Sequence, residues 1–135
     1  MLGRHESREA AFKALFALAG NPDADRQAVY ADVVPEDETA SAYMITLIDG
    51  VLAHTAELDA AIEGKLKKGW SLSRLTKPDL IVLRLGLYEL QFEPDLPAKV
   101  AVNEAIELAK TYSDDQAARF VNGILGHFVS AAPKA

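Results

Sequence analysis

Between Leu80 and Gln91 lies a segment that is apolar on almost every side of a helix: Leu80, Ile81, Val82, Leu83, Leu85, Leu87, Tyr88 and Leu90. A helix with no polar face cannot sit on a surface, so other helices must surround it and it marks the expected centre of the fold. Thr76-Lys-Pro-Asp79 opens it well. Thr76 can cap, and Pro78 falls in the first turn, where its missing N–H costs nothing. Gly86 inside the segment reads as a point of close approach between helices. Arg84 and Glu89 interrupt the apolar run, which is too short to span a bilayer.

The rest of the chain repeats the helical period and offers no clean alternation of a strand. A first helix is expected from about Gly3 to Ala19, with Arg8, Phe12, Leu15, Phe16 and Ala19 on one face. Gly20-Asn21-Pro22 stops it. A short helix follows from about Asp25 to Val33. A long third helix runs from near Glu36 to about Lys68-Gly69, burying Met44, Leu47, Ile48, Val51, Leu58 and Ile62, with a bend expected near His54-Thr55. After a helical turn over Ser71 to Leu75 and the central helix, Glu93 to Pro97 is a turn. A sixth helix covers Ala98 to Tyr112 on a stripe of Val102, Ala105, Ile106 and Ala109. Ser113-Asp114 starts a seventh, with Phe120, Val121, Ile124, Leu125 and Phe128 inside. The tail from Ala131 is expected to fray. The fold class is all-α, and 135 residues suit a single domain.

Charge narrows the function. The net charge is −6, whereas a free-standing nucleic-acid binder normally carries a basic surface. From Gly20 to Gly64 a single basic residue, Arg26, faces ten acidic ones. Cations gather instead at Arg4, Arg8 and Lys13, and at Lys65, Lys67 and Lys68. Any contact with nucleic acid is therefore local and is expected to need a partner.

Chemistry of the enzymatic kind finds little support. The absence of cysteine removes disulfides and thiolate metal sites and fits a reducing cytoplasm. His5, His54 and His127 fall on three different expected helices, without a nucleophile signature around Ser or Thr. No Glu-x-x-His pattern of a di-iron bundle is present, and His54 followed by Glu57 reads as a solvated helix face. Gly123-Ile-Leu-Gly126 lacks the strand that a phosphate loop needs. Asp114-Asp115 is read as negative charge at a helix N-terminus. No enzyme, metal, cofactor or membrane segment is expected.

Three segments carry a family resemblance. They are Arg8-Glu-Ala-Ala-Phe-Lys-Ala-Leu-Phe16; Trp70 and Arg74-Leu75 with Leu83-Arg-Leu-Gly-Leu-Tyr-Glu-Leu90; and Pro97-Ala-Lys-Val-Ala-Val-Asn103-Glu104-Ala105 through Lys110 with Phe120-Val-Asn122-Gly123-Ile-Leu125. Over about residues 4 to 128 the chain resembles the NusB family of transcription antitermination factors. The resemblance implies a seven-helix fold of two three-helix subdomains around the central apolar helix, sharing the long third helix. It also implies binding of a boxA-type single-stranded RNA together with a NusE-like small ribosomal protein, inside an RNA polymerase antitermination complex acting in ribosomal RNA transcription. Two alternatives stand beside it: a helical protein-interaction module with little or no RNA binding, and the N-terminal domain of a ribosomal RNA cytosine methyltransferase, for which this chain has no room for a catalytic domain.

The candidate RNA contacts are Arg4, His5, Arg8, Tyr112, Gln116, Arg119 and Phe120. Arg4 and Arg8 suit phosphates, although Arg8 lies in line with Phe12 and Leu15 and equally suits an internal ion pair. Tyr112 and Phe120 offer rings for base stacking, and Phe120 also fits the buried stripe. Gln116 and Arg119 suit polar or phosphate contact. Asn103 and Asn122 suit reading of bases or hydrogen bonding between the sixth and seventh helices, and the structural role is preferred for both. The N-terminus holds His5, Glu6 and Ser7 between its arginines where the family is usually richer in arginine, so weaker and more partner-dependent RNA affinity is expected.

Overall fold

A computed structural model describes residues 1–129; the tail expected to fray from Ala131 lies outside the described residues. Among them are seven α-helices and no strand: α1 (Arg4–Gly20), α2 (Arg26–Val33), α3 (Ala42–Ala53), α4 (Thr55–Glu63), α5 (Lys77–Phe92), α6 (Ala98–Tyr112) and α7 (Asp115–Val129), with a short 3₁₀ turn at Leu72–Arg74. None of these helices is long and apolar enough to cross a membrane. The chain divides into two compact units, Met1–Leu52 and the part from Ala53 onward.

In the first unit, α1 begins because Glu6 reaches back to the N–H of Gly3, 3.1 Å away, satisfying a donor that no helical carbonyl can reach. Its buried stripe is Ser7, Arg8, Ala10, Ala11, Phe12, Ala14, Leu15 and Leu18. Phe16 is 41% exposed and Ala19 is also exposed, so the true stripe is rotated from the expected one toward the small residues. Alanines in that stripe let another element approach closely. The helix α2, capped by Asp25 through the Ala28 N–H, packs on α1 with Val29 and Tyr30 buried.

The expected long third helix is shorter and divided. Pro35 to Glu38 form a turn, and the helix starts only where Ser41 Oγ accepts from the Met44 N–H at 3.0 Å. It buries Met44, Leu47, Ile48 and Val51 as expected. It then ends at His54, whose backbone (φ −111°, ψ 15°) leaves the helical region before α4 resumes. The anticipated bend is thus a break between two helices, and the boundary between the compact units lies beside it.

In the second unit α5 packs against α4, α6 and α7, and α6 packs on α7. Ile81, Val82, Leu83, Leu85, Leu87, Tyr88 and Leu90 are all buried, which bears out the burial expected of this helix and makes it the centre of the second unit. Gly86 is required here. A Cβ at that position would lie 2.8 Å from Leu125 Cδ1 and 3.0 Å from Ala105 Cβ, so α5, α6 and α7 meet at a point with no room for a methyl group. Arg84 is part-buried and held by a two-pronged pair to Asp59, at 2.7 and 2.8 Å, joining α5 to α4. Thr76 caps α5 through the Asp79 N–H. Asp114 caps α7 through the Ala117 N–H at 2.7 Å, the role read for it from the sequence.

Candidate nucleic-acid interface

The chain leaves helix between α4 and α5. At Gly64 the α4 ladder ends, Lys67 and Trp70 close a turn, and Gly69 adopts φ +92°, a conformation that favours glycine. This loop and one face of α7 form the walls of a cleft of about 580 Å³, a volume in the range of ligand sites. Lys65, Lys67, Trp70 and Arg74 line it from the loop and the 3₁₀ turn. Asp79 lines it from α5, Asp114 from the turn before α7, and Gln116, Arg119, Phe120 and His127 from α7.

Four cations therefore face two carboxylates in one cleft of a chain whose net charge is −6. Asp114 already spends one oxygen on its cap. Asp79 Oδ1 is buried without a hydrogen-bond partner among the described residues, in the first turn of α5, where the aligned N–H groups favour negative charge. The rings matter as much as the charges. Trp70 is 50% exposed, and Phe120 is half-buried instead of lying in the core stripe, so both present π-surface in the cleft.

The structure distributes the sequence-based candidates unevenly. Gln116, Arg119 and Phe120 come together in the cleft. Tyr112, half-buried at the end of α6, is not among its lining residues. Arg119 also borders a shallower groove between α6 and α7, with Lys110, Asp115 and Asn122. Asn103 and Asn122 are both exposed, so the interhelical hydrogen-bonding role read for them is corrected. Phe128 is likewise half-buried and not a core residue.

Arg4, His5 and Arg8 belong to the first unit. The Arg4 guanidinium lies 4.5 Å from the centre of the Tyr43 ring, and that of Arg8 lies 5.7 Å from it. Arg8 is only 3% exposed; it is a packed residue, which favours the internal role left open for it. Exposed His5 lies 3.8 Å from Glu9. Glu6 and Ser7, which stand where more arginines were expected, both have structural work. Glu6 caps α1, and buried Ser7 shares a 2.6 Å hydrogen bond with Ser41, the residue that starts α3. His54 is not a simple solvated position either: its ring stacks on Phe92 at 4.4 Å while Nδ1 meets Glu57 at 3.1 Å.

Sequence reasoning did not place Lys65, Lys67, Trp70, Arg74 and His127 in the site. A signal existed: a tryptophan in a Gly- and Lys-rich loop has no helical stripe to join.

Cations and exposed rings gathered in one cleft of an otherwise acidic, all-helical protein are the features by which proteins bind nucleic acid at a restricted surface. Comparison with known proteins gives the family. The NusB family profile matches residues 5–130, and this chain belongs to that family. The transcription antitermination protein NusB of Lacticaseibacillus casei is 64% identical over the whole of both chains. Among solved structures, NusB of T. maritima superposes with a TM-score of 0.86 at 37% identity, covering 98% of this chain and 94% of that one. A structure of the antitermination factors NusB and NusE in complex with double-stranded RNA matches with a TM-score of 0.81 at 29% identity, covering 96% of this chain and 97% of that one.

Proposed function

We propose that this chain acts as one RNA-binding domain, a transcription antitermination factor that takes up boxA-type single-stranded RNA together with a NusE-like small ribosomal protein. In this reading it works in the cytoplasm, within the RNA polymerase antitermination complex that transcribes ribosomal RNA, as an adaptor and not an enzyme. The observation that carries it is the cleft: Arg119 and the loop lysines supply charge for phosphates, Phe120 supplies a ring for a base, and Gln116 supplies a polar edge. Family membership and the 64% identical antitermination protein support the same reading.

Few cations mean few phosphates. With four in the cleft, the slope of log K against log salt for single strands is expected to be no steeper than about −3. Binding by the isolated chain is then weak, and the ribosomal protein supplies the remainder. Titration of labelled boxA RNA, with and without the NusE-like partner, tests this directly. The expected result is tightening by the partner with retained preference for single strands. The NusB–NusE structure that holds double-stranded RNA makes strand preference the property to read, so a duplex of the same sequence belongs in the titration. Arg4 and His5 of the first unit are proposed as RNA contacts in their own right, apart from the cleft of the second unit.

A second reading, a helical protein-interaction module with little RNA binding, draws on the acid-rich stretch from Gly20 to Gly64 and on the burial of Arg8. Partner binding without any RNA binding in the same titration would favour it.

A further inference from the structure

We infer that Trp70, backed by Arg74, is a base-stacking residue that makes the cleft selective for an unpaired nucleotide; the inference rests on the RNA-binding reading of that cleft. The indole is the largest exposed ring of the chain, and it is held, not loose. Arg74 lays its guanidinium 5.0 Å from the indole centre and donates from Nη1 to the carbonyl of Gly69 at 2.7 Å. Gly69, at φ +92°, turns the backbone immediately before Trp70. The arginine therefore closes the loop on itself and stacks on the ring, so little rotamer freedom remains to be lost when a ligand arrives.

A half-exposed tryptophan stacked on an arginine leaves apolar surface in water and contributes little to the core. Such a residue signals recognition. Its neighbours specify what is recognised. Lys65 and Lys67 precede it in the loop, and Arg119 and Phe120 line the same cleft from α7. Cations for a phosphate chain and two rings for bases are the chemistry of single-stranded nucleic acid, since a paired base in a duplex offers no free face to an indole. The loop wall thus complements the α7 wall, and the two rings can hold separate bases of one strand.

Trp70 is the only tryptophan in the sequence, so its emission reports on the site without labelling the protein. The full chain is titrated with a boxA-type single-stranded RNA, with a duplex of the same sequence and with inorganic polyphosphate, while a label on the RNA reads binding independently. Single-stranded RNA is expected to quench the indole saturably, and polyphosphate and duplex are not. Trp70→Ala is expected to weaken single-strand binding about 5- to 150-fold, as loss of one stacked base does. Its salt slope and melting temperature should stay unchanged, and Trp70→Phe should recover most of the affinity. Labelled RNA that binds without quenching, together with a Trp70→Ala variant that binds like the unaltered chain, overturns the inference and leaves the RNA-binding reading standing. Equal quenching by the duplex overturns the assignment to an unpaired base. RNA that fails to bind even with the ribosomal protein present sinks both.

Discussion

Both compact units place an arginine on an aromatic ring, and the two arrangements do opposite jobs. In the first, Arg4 and Arg8 approach Tyr43, and Arg8 is inside the protein. In the second, Arg74 and Trp70 are both exposed at the edge of the cleft. The same cation–π contact, worth about 0.5–1 kcal/mol when exposed and about 2 kcal/mol when desolvated, is cement in one place and a prepared surface in the other. Charge near an N-terminus is thus no measure of RNA-binding capacity. What counts is whether the guanidinium still has solvent to exchange for a phosphate.

The scale for testing this comparison comes from the interior. Leu83 is fully buried, so Leu83→Ala should cost about 2–5 kcal/mol in chemical denaturation through the cavity it leaves. A cost near zero would mean that α5 is not the centre of its unit. Next in size is Arg8→Ala. Losing a buried stem and a desolvated cation–π contact should destabilise by about 2 kcal/mol, whereas Arg74→Ala should cost no more than about 1 kcal/mol, as an exposed contact does. Equal losses in thermal denaturation would erase the distinction between cement and surface.

Binding sharpens the contrast further. Phe120→Ala should remove about 1–3 kcal/mol of RNA affinity with little change in salt dependence, and its melting temperature must be measured beside it because the ring is half-buried. The smallest effect is one of slope. Replacing Lys65 and Lys67 together by alanine should flatten log K against log salt by about 1.4, two phosphates at about 0.7 each. If Arg8→Ala flattens the slope while the protein stays folded, the first unit's packed arginine touches phosphate after all and the comparison fails.

Some of this was legible in the residues and some was not, for identifiable reasons. The α5 core, the Thr76 and Asp114 caps and the close approach at Gly86 are local patterns: an apolar surround, a capping residue three positions before its N–H, a glycine in a run of leucines. A bend near His54-Thr55 was legible, but not that it would part the helix in two. The His54 ring stacks on Phe92, nearly forty residues later in the chain, and periodicity over Met44 to Ile62 runs through it unbroken. The N-terminal shortage of arginine was visible, and so in principle was the local cap by Glu6, but the work of Ser7 was not, because Ser7 answers to Ser41.

The candidate site divides in the same way. Gln116, Arg119 and Phe120 share two turns of one helix, and that spacing places them together in any helical fold. Trp70 and Arg74 join them only because α4, α5 and α7 pack to bring a loop against a helix. By itself the sequence determined the helical class, the buried α5 and the family. Those follow from interactions between residues three or four apart and from the short patterns that encode them. Tertiary structure alone decided that Arg8 is enclosed, that Phe120 is only half so, and that a lone tryptophan stands at the mouth of a cationic cleft. Exposure is a property of neighbours distant in the chain, and no local pattern carries it.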